Sequence, residues 1–319
     1  MTFTAKSSWT RTRQAGAFTV AVAATAALLA GCSSSDGTSD PLAGGGEKGG
    51  DTVVVGSNNF AESILLADIY GEALKAKGIK VTYKPNIGSR ETTYGLMKNG
   101  SVTVLPEYNG SLLAYLDSKA TPKSVEETTA ALEKKLDAAL TLLKPSSAQD
   151  KDSVTVNAAT ARRHRLTADS SIADLKDAAA DLVFGGSPEF QTRHQGLAGL
   201  KSVYGLEFKS FKSLDAGGPL TQAALKKDTV QVADLFTTDP TIRKEKFVVL
   251  KDPKNLFGFQ NVQPLVHKDG LPEKGAAALD AVSAKLDTQT LLDLDAQVQL
   301  EKKDPLDVAT SWLRSVGLD

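Results

Sequence analysis

The sequence predicts an α/β protein of two lobes joined by two crossovers, and three observations carry that prediction. Short β-branched runs alternate with helical stretches from residue 52 onward, the pattern of βαβ units with parallel strands. Lys144-Pro145-Ser146-Ser147 ends the first series of units, and a new strand opens at Ser153. Asn255 to Asn261 then leads into Val262 to Val266, a strand that returns the chain to the first lobe. The expected boundaries are residues 52–152 and 252–319 for lobe 1 and 153–251 for lobe 2.

The N-terminal residues read as addressing information. Lys6, Arg11 and Arg13 form a basic n-region ahead of the apolar run Ala15 to Ala30, which is too short for a membrane-spanning helix. Leu29-Ala30-Gly31-Cys32 resembles the lipobox of bacterial lipoproteins, so residues 1–31 are expected to be removed and Cys32, the only cysteine, to carry lipid. Removal takes three of the 37 basic residues and none of the 38 acidic ones, leaving 34 against 38 and a net charge near −4. That balance argues against a nucleic-acid partner. Without a second cysteine there is no intramolecular disulfide, and the core alone must hold the body together. Residues 32–51, rich in Gly, Ser and Asp, have almost nothing to bury and read as a disordered tether, spanning roughly 25 Å root-mean-square as a flexible coil.

In the first lobe Thr52 to Val55 reads as a strand, closed by Gly56-Ser57-Asn58-Asn59. Glu62 to Lys77 reads as a helix with Ile64, Leu65, Ile69, Ala73 and Leu74 on one face, stopped by Gly78. Ile79 to Tyr83 is the next strand. Gly88-Ser89-Arg90-Glu91-Thr92 leads into a second helix, and Val102 to Leu105 is the strand before Glu107-Tyr108-Asn109-Gly110. Both turns lie where strands end and helices begin, where free backbone N–H groups can meet a polar ligand; ordinary helix capping is the alternative reading. Lys123 to Leu143 reads as one long amphipathic helix through Leu132, Leu136, Leu140 and Leu143.

In the second lobe Ser153 to Val156 opens as a strand. Arg162 to Arg165 places positive charge at a helix end, and Ser171-Ile172-Ala173-Asp174 resembles a capping box with Asp in place of Glu. Strands follow at Leu182 to Gly185, Phe208 to Phe211, Thr229 to Phe236 and, at an edge, Phe247 to Leu250. Pro188 suits the first position of one helix, and Pro219 to Lys226 forms another. After the return strand the chain is helical over 274–286, 288–299 and 305–316, with Val308, Ala309, Trp312, Leu313 and Val316 on one buried face. Tyr70 and Tyr115 fall in helical runs and are assigned to the core.

Catalytic patterns are absent. His164, His194 and His267 are scattered, and no HExxH, GxSxG or P-loop spacing occurs. The chain is therefore read as a non-enzyme without cofactor or metal, and as an extracytoplasmic binding protein with a cleft between lobes.

Four segments sharpen that reading: Gly56 to Ser63 (GSNNFAES), Asn86 to Thr93 (NIGSRETT), Leu105 to Leu116 (LPEYNGSLLAYL) and Asp252 to Val266 (DPKNLFGFQNVQPLV). In this order they resemble the glycine betaine/carnitine/choline-binding family of ABC-transporter substrate-binding proteins, over essentially all of residues 52–318. The resemblance implies a type II periplasmic-binding-protein fold, a Venus flytrap that closes on a small osmoprotectant-type solute. It further implies delivery to a membrane permease and its ATPase, from a monomer anchored by lipid at the extracytoplasmic face. A ligand sensor or scaffold using the same lobes without transport is the alternative of another class, and a periplasmic enzyme using Glu91 and Glu107 as an acid–base pair is the remaining one.

Family members hold a quaternary ammonium in a cage of aromatic rings. By motif spacing the cage positions fall here at Glu91, Ser153, Thr221 and Phe236, of which one is aromatic. Tyr108, Phe60, Phe190, Phe236 and Phe257 remain as candidate cleft aromatics, each with core packing as its alternative. Glu91 can accept hydrogen bonds from an ammonium or guanidinium, so the expected solute is betaine-like or a more polar amine. Arg90 either serves an anionic ligand group or pairs with Glu91. The ligand-binding candidates are Asn59, Phe60, Arg90, Glu91, Thr92, Glu107, Tyr108, Asn109, Phe190, Phe236, Thr237 and Asn261.

Overall fold

The computed structural model describes residues 52–319; Cys32, the leader and the tether lie outside the described residues. The opening unit is β1 (Thr52–Gly56), α1 (Ala61–Lys75) and β2 (Lys80–Lys84). Strands β1 and β2 pair in parallel from Thr52 opposite Lys80 to Gly56 opposite Lys84. Helix α1 buries Leu65, Leu66, Ile69, Tyr70, Ala73 and Leu74. Gly71 on this helix is required by close packing, since a β-carbon there would lie 2.2 Å from the Tyr83 ring. The lobe continues through α2 (Arg90–Lys98), β3 (Val104–Tyr108), α3 (Asn109–Leu116), α4 (Val125–Glu133) and β4 (Leu140–Leu142).

The second series is β5 (Asp152–Val156), α5 (Ala158–His164), β6 (Val183–Gly186), α6 (Leu197–Tyr204), β7 (Ser210–Ser213), α7 (Pro219–Lys226), β8 (Val232–Phe236), α8 (Pro240–Glu245) and β9 (Val248–Val249). The chain then returns as β10 (Val262–His267), followed by α9 (Glu273–Lys285), α10 (Thr288–Gln299) and α11 (Pro305–Ser315). Two five-stranded sheets result, ordered β2-β1-β3-β10-β4 and β7-β6-β8-β5-β9. Each has a parallel half, β2-β1-β3 and β7-β6-β8, continued by two antiparallel strands. Helices α1, α9, α10 and α11 share one apolar cluster against the first sheet, with Leu65 and Ile69 beside Trp312 and Leu313. The first sheet's other face packs on α2, α3 and α4.

The long helix expected over 123–143 is instead α4, a turn and β4. Antiparallel pairing with β10 claims its end, Leu142 opposite Leu265 and Leu140 opposite His267. Leu132, Leu136 and Leu140 still enter one apolar cluster, so the leucine spacing reports burial and not conformation. Helix α8 was not anticipated, although Asp239 caps it by accepting from the Thr241 amide at 2.7 Å and Pro240 takes its first position. The Ser171–Asp174 capping box forms, but it opens a single 3₁₀ turn, Ile172–Leu175. Tyr115 is not core: it is 41% exposed, its ring edge-on to Tyr94.

The two connections between the sheets run side by side. Gln149 bridges antiparallel to Asn261, the Asp150 amide donates to the Gln260 carbonyl at 3.1 Å, and the Val262 amide donates to the Ala148 carbonyl at 3.0 Å. Such a two-stranded joint leaves a few backbone torsions to absorb bending while the sheets stay rigid.

Candidate functional site

A cleft of about 60 Å³ opens at strand ends contributed by both sheets. Asn59 and Phe60 follow β1, Arg90 begins α2, Tyr108 ends β3, Asp152 begins β5, Asp234 lies within β8 and Phe236 ends it. This is the crevice position that open α/β sheets reserve for ligands. Across it the Phe60 ring meets the Phe236 ring at 4.9 Å and the Tyr108 ring at 5.9 Å. A second cavity of about 310 Å³ lies beyond Phe60 and Phe236, toward Gln222 and Gln299.

Two arginines line the cleft, and each is already engaged. Arg90 is buried and donates to Glu107 through Nε and Nη2, both at 2.9 Å, while Glu107 also accepts from the Tyr108 amide at 2.9 Å. Arg193 reaches over from the second lobe to Glu91, with Nη2 to Oε2 at 2.7 Å and Nε to Oε1 at 3.0 Å. Burial works to raise the Glu91 carboxyl, but the Arg193 hydrogen bonds and charge outweigh it and hold the group at about 2. Arg90 thus pairs with Glu107, and Glu91 meets a protein guanidinium.

Below Tyr108 lies a buried acidic pair. Glu62 Oε1 accepts from the Tyr108 hydroxyl at 2.5 Å and Oε2 from the Thr238 hydroxyl at 2.6 Å. Burial, then the charge of Asp295, pushes Glu62 well above the usual carboxylate range. Both oxygens of Asp295 are buried without a donor from another group, and burial raises this carboxyl to about 7. Burial thus pushes both carboxyls toward the protonated form.

The other candidates are dispersed. Asn109 and Asn261 serve the joint: the Asn261 amide donates to Asn109 Oδ1 at 2.9 Å, and Asn261 Nδ2 donates to the Ser146 carbonyl at 2.9 Å. Thr237 lies at the same joint, its hydroxyl donating to Asp150 Oδ1 at 3.2 Å. Phe190 is 2% exposed and stacks on Phe184 in the second lobe's core; Phe257 is buried in the same cluster. Thr92 is exposed on α2, outside the cleft lining. Among the four cage positions only Phe236 lines the cleft: the Ser153 hydroxyl donates to the Leu235 carbonyl at 2.6 Å and the Thr221 hydroxyl to the Asp215 carbonyl at 2.7 Å. The amides expected to be free after β1 are also spent, Ser57 on the Lys84 carbonyl, Asn58 on the Ser63 hydroxyl and Asn59 on the Gly88 carbonyl.

Asp150, Asp152, Asp234 and Arg193 were missed as cleft residues. A signal existed for Asp234, an acid inside the apolar strand Val-Ala-Asp-Leu-Phe, and for Asp152 at a strand's first position. Arg193 offers none, because its role depends on how the lobes face each other. Among the described residues no group of three His, Cys, Asp or Glu side chains is placed to hold a metal ion, and no helix is long and apolar enough to cross a membrane.

Two mixed sheets, a paired-strand joint and a cleft at their strand ends make up the type II periplasmic-binding-protein fold. The chain belongs to the family described as the substrate binding domain of the ABC-type glycine betaine transport system, whose profile matches residues 51–315. It is 29% identical over 286 residues to the glycine-betaine-binding protein of Pseudomonas aeruginosa, covering 83% of this chain and 88% of that one. It is 26% identical over 277 residues to the glycine betaine-binding protein YehZ of Escherichia coli, covering 83% and 90%. Among solved structures, one titled glycine betaine/carnitine/choline ABC transporter superposes with a TM-score of 0.65 at 22% identity, covering 83% of this chain and 99% of the other. Apo YehZ from Escherichia coli superposes at 0.58 with 25% identity, covering 85% and 100%.

Proposed function

We propose that the protein is an extracytoplasmic receptor of an ABC importer, held to the membrane by lipid on Cys32. It captures a small osmoprotectant-type amine between its lobes and passes it to the permease and its ATPase as a monomer. The observation that carries this reading is the pairing of Phe60 on one lobe with Phe236 on the other, 4.9 Å apart over a cleft lined by charged side chains. Closing the lobes brings ring faces and charges together around one small solute, and opening them releases it. The relatives from Pseudomonas aeruginosa and Escherichia coli named for glycine betaine support the amine class.

Within this proposal lobe 1 comprises residues 52–152 and 252–319 and lobe 2 residues 153–251. Asn59, Phe60, Arg90, Tyr108 and Phe236 would touch the solute, Glu91 would close the cleft through Arg193, and Glu107 would hold Arg90. Isothermal titration of the purified full chain with glycine betaine, choline, carnitine and a panel of polar amines tests it. One-to-one binding of a panel member, weakened by Phe236→Ala, is expected; heat-silent titrations throughout would overturn it. Uptake of the same solute by cells carrying Cys32→Ser should fall if the lipid anchor supports delivery.

A further inference from the structure

The second sheet's wall of the cleft carries an acidic pair, Asp152 and Asp234, one oxygen of which finds no donor among the described residues. Asp234 is 3% exposed, and its Oδ1 has no hydrogen-bond partner among the described residues. Its side chain lies over Gly186 at the end of β6, where an added β-carbon would come within 3.3 Å of the Asp234 β-carbon. In the antiparallel register of β5 and β8, Asp234 faces Val154 and Phe236 faces Asp152. Directly opposed residues and residues two apart share a face, so Asp152, Asp234 and Phe236 present one surface, with the two carboxyls diagonal to each other. Burial, then the charge of Asp152, raises Asp234 well above the usual carboxylate range, with the Ser153 amide working the other way.

Nothing else at the cleft meets this demand. Asp150 is already served by the Thr238 amide and the Thr237 hydroxyl. Arg90 donates to Glu107 and Arg193 to Glu91 through Nε and Nη2; their charges act on Asp152, and that of Arg193 on Asp234, but neither gives Asp234 Oδ1 a hydrogen bond. A buried acceptor without a donor is costly, and an incoming N–H cation would satisfy it.

We propose that Asp152 and Asp234 form the cation subsite of this cleft and that they select a hydrogen-bond-donating amine, a primary ammonium or guanidinium, over a trimethylammonium group. The inference rests on the solute-receptor reading and names the class of solute. An N–H cation between the two carboxyls donates to both, while the Phe236 ring opposite Asp152 covers its apolar side. A trimethylammonium offers no hydrogen, so it would desolvate Asp234 and leave Oδ1 unpaired.

Matched pairs decide the matter: choline against ethanolamine, glycine betaine against glycine, carnitine against its unmethylated amine, with agmatine as the guanidinium probe. Each is titrated calorimetrically into the full chain and into its Asp234→Asn and Asp152→Asn variants. The N–H member of at least one pair should bind tighter by roughly tenfold or more. Asp234→Asn should weaken that member on the order of 10–100-fold, while leaving the methylated member within about threefold. Tighter binding of the methylated members, indifferent to both variants, would overturn the subsite and leave the receptor reading intact. Silence of every probe would overturn both. Should a variant fail to fold, the matched pairs on the unmodified chain still decide, because they need no substitution.

Discussion

The Thr238 hydroxyl, on the loop after β8, donates a 2.6 Å hydrogen bond to Glu62 in the first turn of α1, tying the second sheet's loop to the first sheet's helix. Thr238→Val keeps the shape and removes the donor. The lost bond is worth about 1–3 kcal/mol because its acceptor is a buried carboxyl. If closure depends on it, small-angle scattering should show a larger radius of gyration for the variant without solute, and solute dissociation should quicken at an almost unchanged association rate. Unchanged scattering and dissociation would remove this bond from the closing machinery.

Glu62 and Asp295 should make the fold more stable in mild acid than in mild base. Asp150, Asp239, Tyr108 and Thr238 surround them, and no cation is paired with them among the described residues. A carboxyl raised in the folded state binds a proton that the unfolded chain releases, so stability falls as pH rises. For Asp295 the window runs from the ordinary carboxylate value, about 4, up to about 7, and Glu62, raised in the same direction, adds to the loss. Denaturant titrations should show a loss of roughly 2–4 kcal/mol between pH 5 and pH 8. Asp295→Asn should flatten that slope and be the more stable protein at pH 8.

The Arg193–Glu91 clasp has the opposite sign. Glu91 is depressed to about 2, so its contribution is complete above its ordinary value and fades as pH falls through the folded one. Both side chains are partly solvated, which limits the coupling measured by a double-mutant cycle of Arg193→Ala and Glu91→Ala to about 0.5–1.5 kcal/mol. The cycle should shrink further at high salt. A coupling near zero at low salt would assign the contact no role in closure.

Arg90 and Glu107 present a sharper case, since Glu107 is 1% exposed. Arg90→Met leaves that carboxylate in the interior without its cation, at a cost of roughly 3–5 kcal/mol. Glu107→Leu combined with Arg90→Met should recover much of the loss, read as the denaturation midpoint of the solute-free protein. If the double variant is as unstable as the single one, the pair has a packing role that charge arguments miss.

Gly110 tests the joint. A β-carbon there would sit 2.0 Å from the Phe259 carbonyl oxygen, a backbone atom of the second connection. Gly110→Ala should cost roughly 2–4 kcal/mol and raise hydrogen exchange at 148–150 and 260–262, where the two connections bond.

The fold was legible because its strands and helices carry local signals that agree with the tertiary arrangement, from the β-branched run at Val53 to the capped helix at Pro305. Leu140 to Leu142 misled because leucines four apart suit a helix, while the vacant edge of β10 made them a strand. The site was less legible for a geometric reason. Phe60, Arg90, Tyr108 and Phe236 sit at element ends that one lobe's pattern can locate, whereas Arg193, the partner of Glu91, and Thr238, one of the partners of Glu62, come from the second sheet's side. Phe190 and Asn261 share the residue types of a binding site, yet one fills a core and the other fastens the joint. Residue type at a strand end names candidates; facing surfaces choose among them.

Helix α1, the first among the described residues, is buried against α11, the last among them. On a growing polypeptide, residues 152–251 hold all the strands of their own sheet and can settle as soon as they emerge. The first sheet must wait for β10, and its apolar helix face for Trp312 and Leu313. A segment made before the second sheet is thus completed after it, so Leu65 and Ile69 are the apolar surface that a stalled or prematurely terminated chain would leave for chaperones and proteases to find.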